Sequence, residues 1–404
     1  LEFALGEKQS YLWIVTSSDF ASIVLPSSRK EIEFAAQTVY QSLTAYTRTP
    51  FETDDLQAKR IATEATQMDA EYLKAATDLS RMLLAPAMER ITGHRLLIVC
   101  DGKLQKVPFA ALPVPKVKTA TLLGTASPDI ASLHPLVLDY EVVNLPSAST
   151  LVDLRRERAA HTRAPKSIAF LVDPVINATD DRRLSSTRTA PPQPPPPLST
   201  LDFDSFFGNG GGNSELPRIQ FTEREARFVA PESESKIFSG FDASLETVKS
   251  GELKQFRYVA FMTHGKFNDA RPGYSGIALS RFNRQGGEAD GVLSLEKIYN
   301  LDLPAELVVL SACESALGEN VRGEGMVGVA RGFLTAGTER VVGTLFTVDN
   351  QATTELMTKF YQQSLRSGSS PAAALRFAQK ALLSDPVRRS PYYWAGFILI
   401  GEPL

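Results

Sequence analysis

Residues 306–315 read Glu-Leu-Val-Val-Leu-Ser-Ala-Cys-Glu-Ser, and this stretch decides the fold class. Leu307–Leu310 is apolar at every position, whereas a strand with one face in water would alternate apolar and polar residues. An uninterrupted apolar strand is typical of a parallel sheet that is covered on both faces. From Lys166 onward such strands alternate with helical segments, which predicts an α/β layer fold.

Polar residues follow two of the predicted strands directly. Thr263-His264-Gly265 comes after the strand Arg257–Met262, and Ser311-Ala312-Cys313 comes after the strand that begins at Glu306. In open α/β sheets, ligands and chemistry gather at the carboxyl ends of the strands. If the two strands are neighbours, an imidazole lies beside a thiol at one edge of the sheet.

A thiol with a neighbouring imidazole can act as a nucleophile. His264 would serve as a base or as the acid that protonates a leaving amine, and Cys313 would attack. The amides of Gly265 and Cys313 could stabilise an oxyanion. The structural alternative stays open, because a lone Cys after a strand is usually a small buried apolar residue and a lone His is often structural.

Composition excludes several classes of protein. The 404 residues include 43 Lys+Arg and 46 Asp+Glu, for a net charge of −3, so nothing predicts binding to nucleic acid or to an anionic membrane. The longest apolar stretch, Tyr392–Ile400, is too short to cross a bilayer. Two cysteines, Cys100 and Cys313, exclude a disulfide scaffold and favour a reducing, cytoplasmic location.

The first part of the chain contains both strand and helix signals. Ser28 and Glu31 form a capping box before a helical face. The pattern predicts a second helical region over about 55–91, with a kink at Pro86. Asp101-Gly102, after an apolar strand, predicts a hairpin.

The segment 185–213 differs in composition from the rest of the chain. It has six prolines within 191–197 and then four glycines, so we predict a flexible loop. Nearby arginines, Arg182, Arg183 and Arg188, make cleavage in cis conceivable, and an inert linker is the alternative. The chain begins without Met, so it is expected to be part of a longer protein.

A glycine motif at 323–328, Gly-Glu-Gly-Met-Val-Gly, matches the dinucleotide fingerprint. That fingerprint binds pyrophosphate only when it directly follows a strand. Here about a dozen residues separate Gly323 from the predicted end of the strand near Ser311. The spacing therefore argues against a nucleotide-dependent oxidoreductase.

Three segments together resemble the CHAT domain, a caspase-like cysteine peptidase family related to separase. They are Phe261–Gly265, Asp290–Ser294 and Val308–Ser315. Further similar segments are Gly323–Gly325, Ala330–Leu334, the strand that ends at Asp349, Pro391–Phe397 and Val99–Pro113. The resemblance runs from about residue 70, and the proline-rich loop departs from it as an insertion.

This resemblance implies a fold and an arrangement of lobes. The expected fold is a caspase-like, mostly parallel sheet with helices on both faces in residues 146–404. Residues 1–145 would form a divergent, catalytically silent α/β lobe that resembles a peptidase. CHAT domains commonly follow TPR repeats, so such repeats or a regulatory partner are expected upstream.

The resemblance also assigns roles to residues. His264 matches the catalytic histidine, Cys313 the nucleophile, and Gly265 an oxyanion donor. The implied activity is endopeptidase cleavage of protein substrates through a thioester, without a metal or organic cofactor. A catalytically silent scaffold or interaction module is the alternative.

Asp349 is the candidate specificity residue. It lies 36 residues after Cys313, at the end of the next predicted strand. Similar peptidases that prefer Arg or Lys at P1, the residue before the scissile bond, place a carboxylate in this region. The alternative is that Asp349 caps the helix beginning near Gln351.

Overall fold

The computed structural model describes most of the 404-residue chain. The described residues are 1–47, 49, 52–115, 130–160, 162–186, 216, 218–219, 222–229, 234–266, 272–311 and 325–403. Cys313, the glycine at 323 and nearly all of the proline-rich segment lie outside these residues.

Strands and helices alternate along most of the chain. The strands are β1 Glu2–Ala4, β2 Ser10–Val15, β3 Phe20–Leu25, β4 Arg95–Val99, β5 Glu141–Leu145, β6 Lys166–Pro174, β7 Ser235–Gly240, β8 Phe256–Met262, β9 Gly265–Lys266, β10 Gly276–Ala278, β11 Val292–Ser294, β12 Leu307–Leu310, β13 Arg340–Thr344 and β14 Phe397–Gly401. The helices are α1 Arg29–Thr44, α2 Asp54–Leu83, α3 Ala148–Ala160, α4 Asp181–Ser186, α5 Thr222–Val229, α6 Leu245–Lys249, α7 Leu295–Tyr299, α8 Gly325–Thr335, α9 Asn350–Tyr361 and α10 Pro371–Leu383. Within the described residues, no helix combines the length and apolar character needed to cross a membrane.

One compact unit comprises Leu1–Asp153 and Leu345–Leu404. Its strands follow the order β3-β2-β1-β4-β5-β14. The β1, β2 and β3 strands pair antiparallel, whereas β1–β4, β4–β5 and β5–β14 are parallel pairs. The α10 helix packs on β5 and β14. Residues 345–404 therefore belong to the same compact unit as residues 1–153. The interpretation of residues 1–145 as a catalytically silent lobe stays a prediction.

The second compact unit comprises Leu154–Thr344. Its main sheet has the order β13-β12-β8-β6-β7, and every neighbouring pair is parallel. All residues of β12 and β13 are buried, which explains the uninterrupted apolar sequence at Leu307–Leu310. A separate antiparallel sheet has the order β11-β10-β9. The predicted α/β class is therefore confirmed.

Several helix boundaries follow the capping signals in the sequence. Ser28 and Glu31 form the predicted capping box at the start of α1. Ser370 caps α10 through the amide of Ala373, and proline occupies the first turn. These side chains satisfy amide groups that would otherwise have no partner in the first turn.

Two local predictions about the first part of the chain are wrong. Asp101-Gly102 does not form a hairpin: Gly102 has a φ of +55° and begins a 3₁₀ helix, Gly102–Lys106. The Asp101 carboxylate instead accepts hydrogen bonds from the Leu5 amide at 2.8 Å and from Arg29 at 3.0 Å. The second error concerns Pro86, which lies beyond the end of α2 and does not kink that helix.

Candidate active site

The strands that precede the two candidate catalytic residues are parallel neighbours. In their register, Leu310 of β12 lies opposite Phe261 of β8, and the Ser311 amide donates a hydrogen bond to the Phe261 carbonyl at 3.1 Å. The expectation that these two strands are neighbours is therefore confirmed. His264 and Cys313 each follow the paired residues by three positions in the sequence.

The main chain at His264 is held by the small antiparallel sheet. The Ala278 amide donates to the His264 carbonyl at 2.8 Å. The neighbouring Thr263 hydroxyl, which is buried, donates to the Ala278 carbonyl at 2.9 Å. His264 is therefore fixed between the end of β8 and the start of β9 while remaining partly exposed.

The amide of Gly265 points away from its strand partner. Gly265 lies opposite Ile277 in the antiparallel pair of β9 and β10. Because the adjacent pair, His264 and Ala278, is hydrogen-bonded, the alternation of an antiparallel ladder makes Gly265 and Ile277 a pair that is not. The N–H of Gly265 thus points to the side of β9 that faces away from β10.

A cleft opens beside His264. Its empty volume, including space continuous with solvent, is about 290 Å³. Its lining combines acidic, basic and apolar residues: Asp173, Pro174, Ile176, Asn177, Asp180, Leu216, Arg218, Ile219, Thr263 and His264. The cleft is thus open to solvent and is not a sealed core cavity.

Asp173 lies on the cleft wall near the carboxyl end of β6. The preceding residue, Val172, is paired with Met262 of β8. Asp173 therefore lies beside the end of β8, which is two residues before His264. Its φ of +45° is in the left-handed region, which Asp tolerates better than most residues. Its carboxylate accepts hydrogen bonds from Arg182 Nη1 at 2.9 Å and from Arg218 Nε at 2.9 Å.

Asp180 supplies a second carboxylate to the same cleft. It accepts hydrogen bonds from Arg182 Nε at 2.9 Å and Arg182 Nη2 at 2.6 Å. The bond from Arg182 is the main reason that the pKa of Asp180 falls below its ordinary value. Arg182 thus bridges both carboxylates, and this three-residue group carries one net negative charge.

Asp349 lies in the other compact unit and caps a helix. Its carboxylate accepts a hydrogen bond from the Ala352 amide at 2.8 Å, at the start of α9. The capping role, which the sequence left as an alternative, is therefore present. The substrate-binding role stays a prediction.

Sequence reasoning missed Asp173, Asp180 and Arg218. Asp173 directly follows the apolar run Ile168–Val172, just as Thr263 directly follows Met262. The strand-end rule would therefore have selected it. Arg218 carried no such signal, because it stands between a proline-rich segment and a short helix.

The fold resembles that of solved structures. Two crystal structures of the Saccharomyces cerevisiae separase–securin complex align with 100% of this chain and 30% of theirs. Their TM-scores are 0.54 and 0.55, at 11% sequence identity. A largely parallel sheet flanked by helices, together with this likeness, defines a caspase-like α/β fold.

The sequence matches the CHAT domain over residues 73–402. Because this match covers most of the chain, the protein belongs to the CHAT domain family. Tetratricopeptide repeat protein 28 is similar over 111 residues, at 34% identity in Homo sapiens and 36% in Mus musculus. Each match covers 28% of this chain and 4% of the relative, so the chain spans a small part of those proteins.

Proposed function

We propose that this chain is a cysteine endopeptidase in which Cys313 is the nucleophile and His264 the proton carrier. The observation that carries the proposal is the register of β8 and β12, which pairs Phe261 with Leu310. His264 lies three positions after Phe261, and Cys313 lies three positions after Leu310. The resemblance to caspase-like peptidases supports the same two roles.

The proposed reaction proceeds through an acyl-enzyme. Cys313 passes its thiol proton to His264, and its Sγ attacks the scissile carbonyl carbon, so that a C–S bond forms while the carbonyl π bond opens and the oxygen becomes an oxyanion. His264 gives a proton to the leaving amine as the C–N bond breaks, which produces a thioester. Water, losing a proton to His264, then attacks the thioester and releases the carboxylic acid and the thiol.

Gly265 is proposed as an oxyanion donor together with the amide of Cys313. The orientation of its N–H, away from β10, supports this role because the group is not needed by the ladder. A preorganised amide stabilises the tetrahedral intermediate more than it stabilises the planar substrate. The absence of a Cβ at Gly265 leaves room for the substrate carbonyl to approach.

Cys100 is proposed to have no part in this chemistry. Desolvation raises the pKa of the Cys100 thiol above its ordinary value, so the thiol stays protonated near neutral pH. Only the thiolate is an effective nucleophile. Cys100 is therefore a suitable control for every experiment on Cys313.

A preference for Arg or Lys at P1 belongs to the proposal. Asp173, Asp180 and Arg182 leave one negative charge in the cleft that contains His264. A substrate guanidinium could donate charge-assisted hydrogen bonds to Asp173, as Arg218 does. Arg218 supplies the cation for this charge in the structure, and a basic P1 side chain could take its place, whereas a neutral one could not.

Asp349 remains a second candidate for the same preference. We expect Asp349→Ala to lower kcat/KM for peptides with a basic P1 residue and to spare peptides with a neutral one, because only a basic side chain needs the carboxylate. Fluorogenic peptides that differ only at P1 measure the ratio. Equal losses on both peptides would assign Asp349 to capping α9 alone.

Labelling with an electrophilic peptide probe tests the peptidase proposal directly. A peptidyl chloromethyl ketone with Arg at P1 should alkylate the wild type and the Cys100→Ala variant at the same rate. Cys313→Ala should abolish labelling, since it removes the attacking sulfur. Mass spectrometry of the digested chain identifies the modified residue.

The catalytically silent alternative makes the opposite prediction. A scaffold or interaction module would show no Cys313-dependent labelling and no hydrolysis, although it would keep the same fold. The similarity to a tetratricopeptide repeat protein supports the further proposal that TPR repeats or a regulatory partner act with this domain on a protein substrate.

A further inference from the structure

The acidic part of the cleft already contains a basic side chain of the same chain. Arg218 donates from Nε to the Asp173 oxygens at 2.9 and 3.1 Å, and its Nη2 also donates to Asp173. The Asp173 carboxylate is only 11% exposed, whereas the Arg218 side chain is 54% exposed. Arg218 thus reaches a nearly buried carboxylate from the solvent side.

The charges in the cleft distinguish Arg218 from Arg182. Arg182 bonds to both carboxylates and is 25% exposed, as expected of a side chain that supports the wall. The remaining negative charge is neutralised by Arg218, which contacts Asp173 alone of the two. Removal of Arg218 leaves Asp173 still paired with Arg182, so the wall does not lose its support.

The main chain near Arg218 is bound as a peptide ligand would be. Asn177 Nδ2 donates to the Leu216 carbonyl at 2.7 Å, and the Leu216 amide donates to Asn177 Oδ1 at 3.2 Å. One side-chain amide therefore pairs with both main-chain groups of Leu216, much as a neighbouring strand would.

The side chain of Leu216 fills an apolar site next to the acidic one. It packs against the buried cluster of Ile176, Ala278 and Val292. Leu216 and Arg218 are two positions apart, the spacing at which an extended peptide directs side chains to the same face. An apolar and an acidic subsite are thus filled by alternate residues of one segment.

We infer that the segment bearing Leu216 and Arg218 is a pseudosubstrate that occupies the substrate cleft beside His264 and holds the protein in a latent state. The inference rests on the proposed function for its consequence, which is inhibition of peptide cleavage. The segment and a substrate would compete for the same contacts. A substrate with an apolar residue two positions before a basic one needs the contacts that Leu216 and Arg218 make.

Peptide binding to the Cys313→Ala chain tests this competition without turnover. The probe is acetyl-Leu-Pro-Arg-amide, which repeats residues 216–218, and calorimetry gives its Kd. We expect Arg218→Ala to lower Kd by about tenfold or more, the factor that applies when the segment fills the cleft nine-tenths of the time. The matched control is Arg284→Ala, which removes an exposed arginine bonded to Asp242 away from the cleft and should leave Kd unchanged.

A third variant tests whether the gain in affinity depends on the charge of Asp173. Adding Asp173→Asn to the Arg218→Ala chain removes the charge while keeping a residue that tolerates positive φ. The tenfold gain should then be lost. Equal Kd values with and without Arg218, or no binding of the peptide to the Arg218→Ala chain, would overturn the inference.

Hydrolysis by chains that retain Cys313 separates this inference from the proposed function. Faster cleavage of a fluorogenic Leu-Pro-Arg peptide by Arg218→Ala than by wild type supports both. Tighter binding without any cleavage supports the pseudosubstrate and overturns the peptidase. Equal cleavage by both chains supports the peptidase and overturns the pseudosubstrate.

Discussion

Replacing His264 by alanine is expected to lower kcat for peptide hydrolysis by about 10⁴- to 10⁶-fold. The physical reason is that the leaving amine is a poor leaving group until it is protonated, and His264 is the proposed donor of that proton. Binding should change far less, because the acidic wall around Asp173 does not depend on the imidazole. Steady-state kinetics on a fluorogenic peptide give kcat and KM separately.

The pH dependence of thiol alkylation supplies a second readout for the same variant. An adjacent imidazolium stabilises a thiolate, so loss of His264 should leave less of Cys313 as the thiolate near neutral pH. Alkylation of Cys313 by iodoacetamide should therefore slow at pH 6.5 and change little at pH 9.

The matched control is His134→Ala, which removes an exposed histidine that contacts Asp139 in the other compact unit. It should match the wild type in both assays. A His264→Ala chain that keeps wild-type kcat would refute the assigned role.

Replacing Trp394 by alanine is expected to reduce the free energy of unfolding by about 3–5 kcal/mol. Trp394 is fully buried, and its indole N–H donates to the Arg389 carbonyl at 3.1 Å. The change removes a large apolar surface and leaves a cavity and an unpaired carbonyl. Urea unfolding followed by far-ultraviolet circular dichroism measures the midpoint and the slope.

Phe377 provides the control for this measurement, because it lies on α10 and is half exposed. Phe377→Ala should change the free energy of unfolding by no more than about 0.5 kcal/mol. Trp394→Phe, which keeps an aromatic ring, should lie between the two and remains measurable if Trp394→Ala does not fold. Equal midpoints for Trp394→Ala and Phe377→Ala would contradict the importance of this buried side chain.

The features that sequence could predict are those that depend on neighbouring residues or on burial. The apolar run at Leu307–Leu310 predicted a buried parallel strand because burial on both faces leaves no polar position. Ser28 and Glu31 predicted the start of α1 because capping involves residues three positions apart. His264 was selected as a candidate because the end of a strand is visible in the sequence.

The features that sequence could not predict depend on contacts between distant segments. Asp101-Gly102 favours a hairpin locally, but Leu5 and Arg29 bind the Asp101 carboxylate across long sequence separations. Arg218 reaches Asp173 from 45 residues away, and no local pattern marks that partner.

The attachment of His264 to β10 has a mechanical consequence. Its carbonyl is bonded to the Ala278 amide, and Thr263 is bonded to the carbonyl of the same residue. Ala278 thus joins the main chain at His264 to β10 through two hydrogen bonds. A ligand that displaces β10 is therefore expected to move the main chain at His264 with it, and the position of the proposed proton carrier would change.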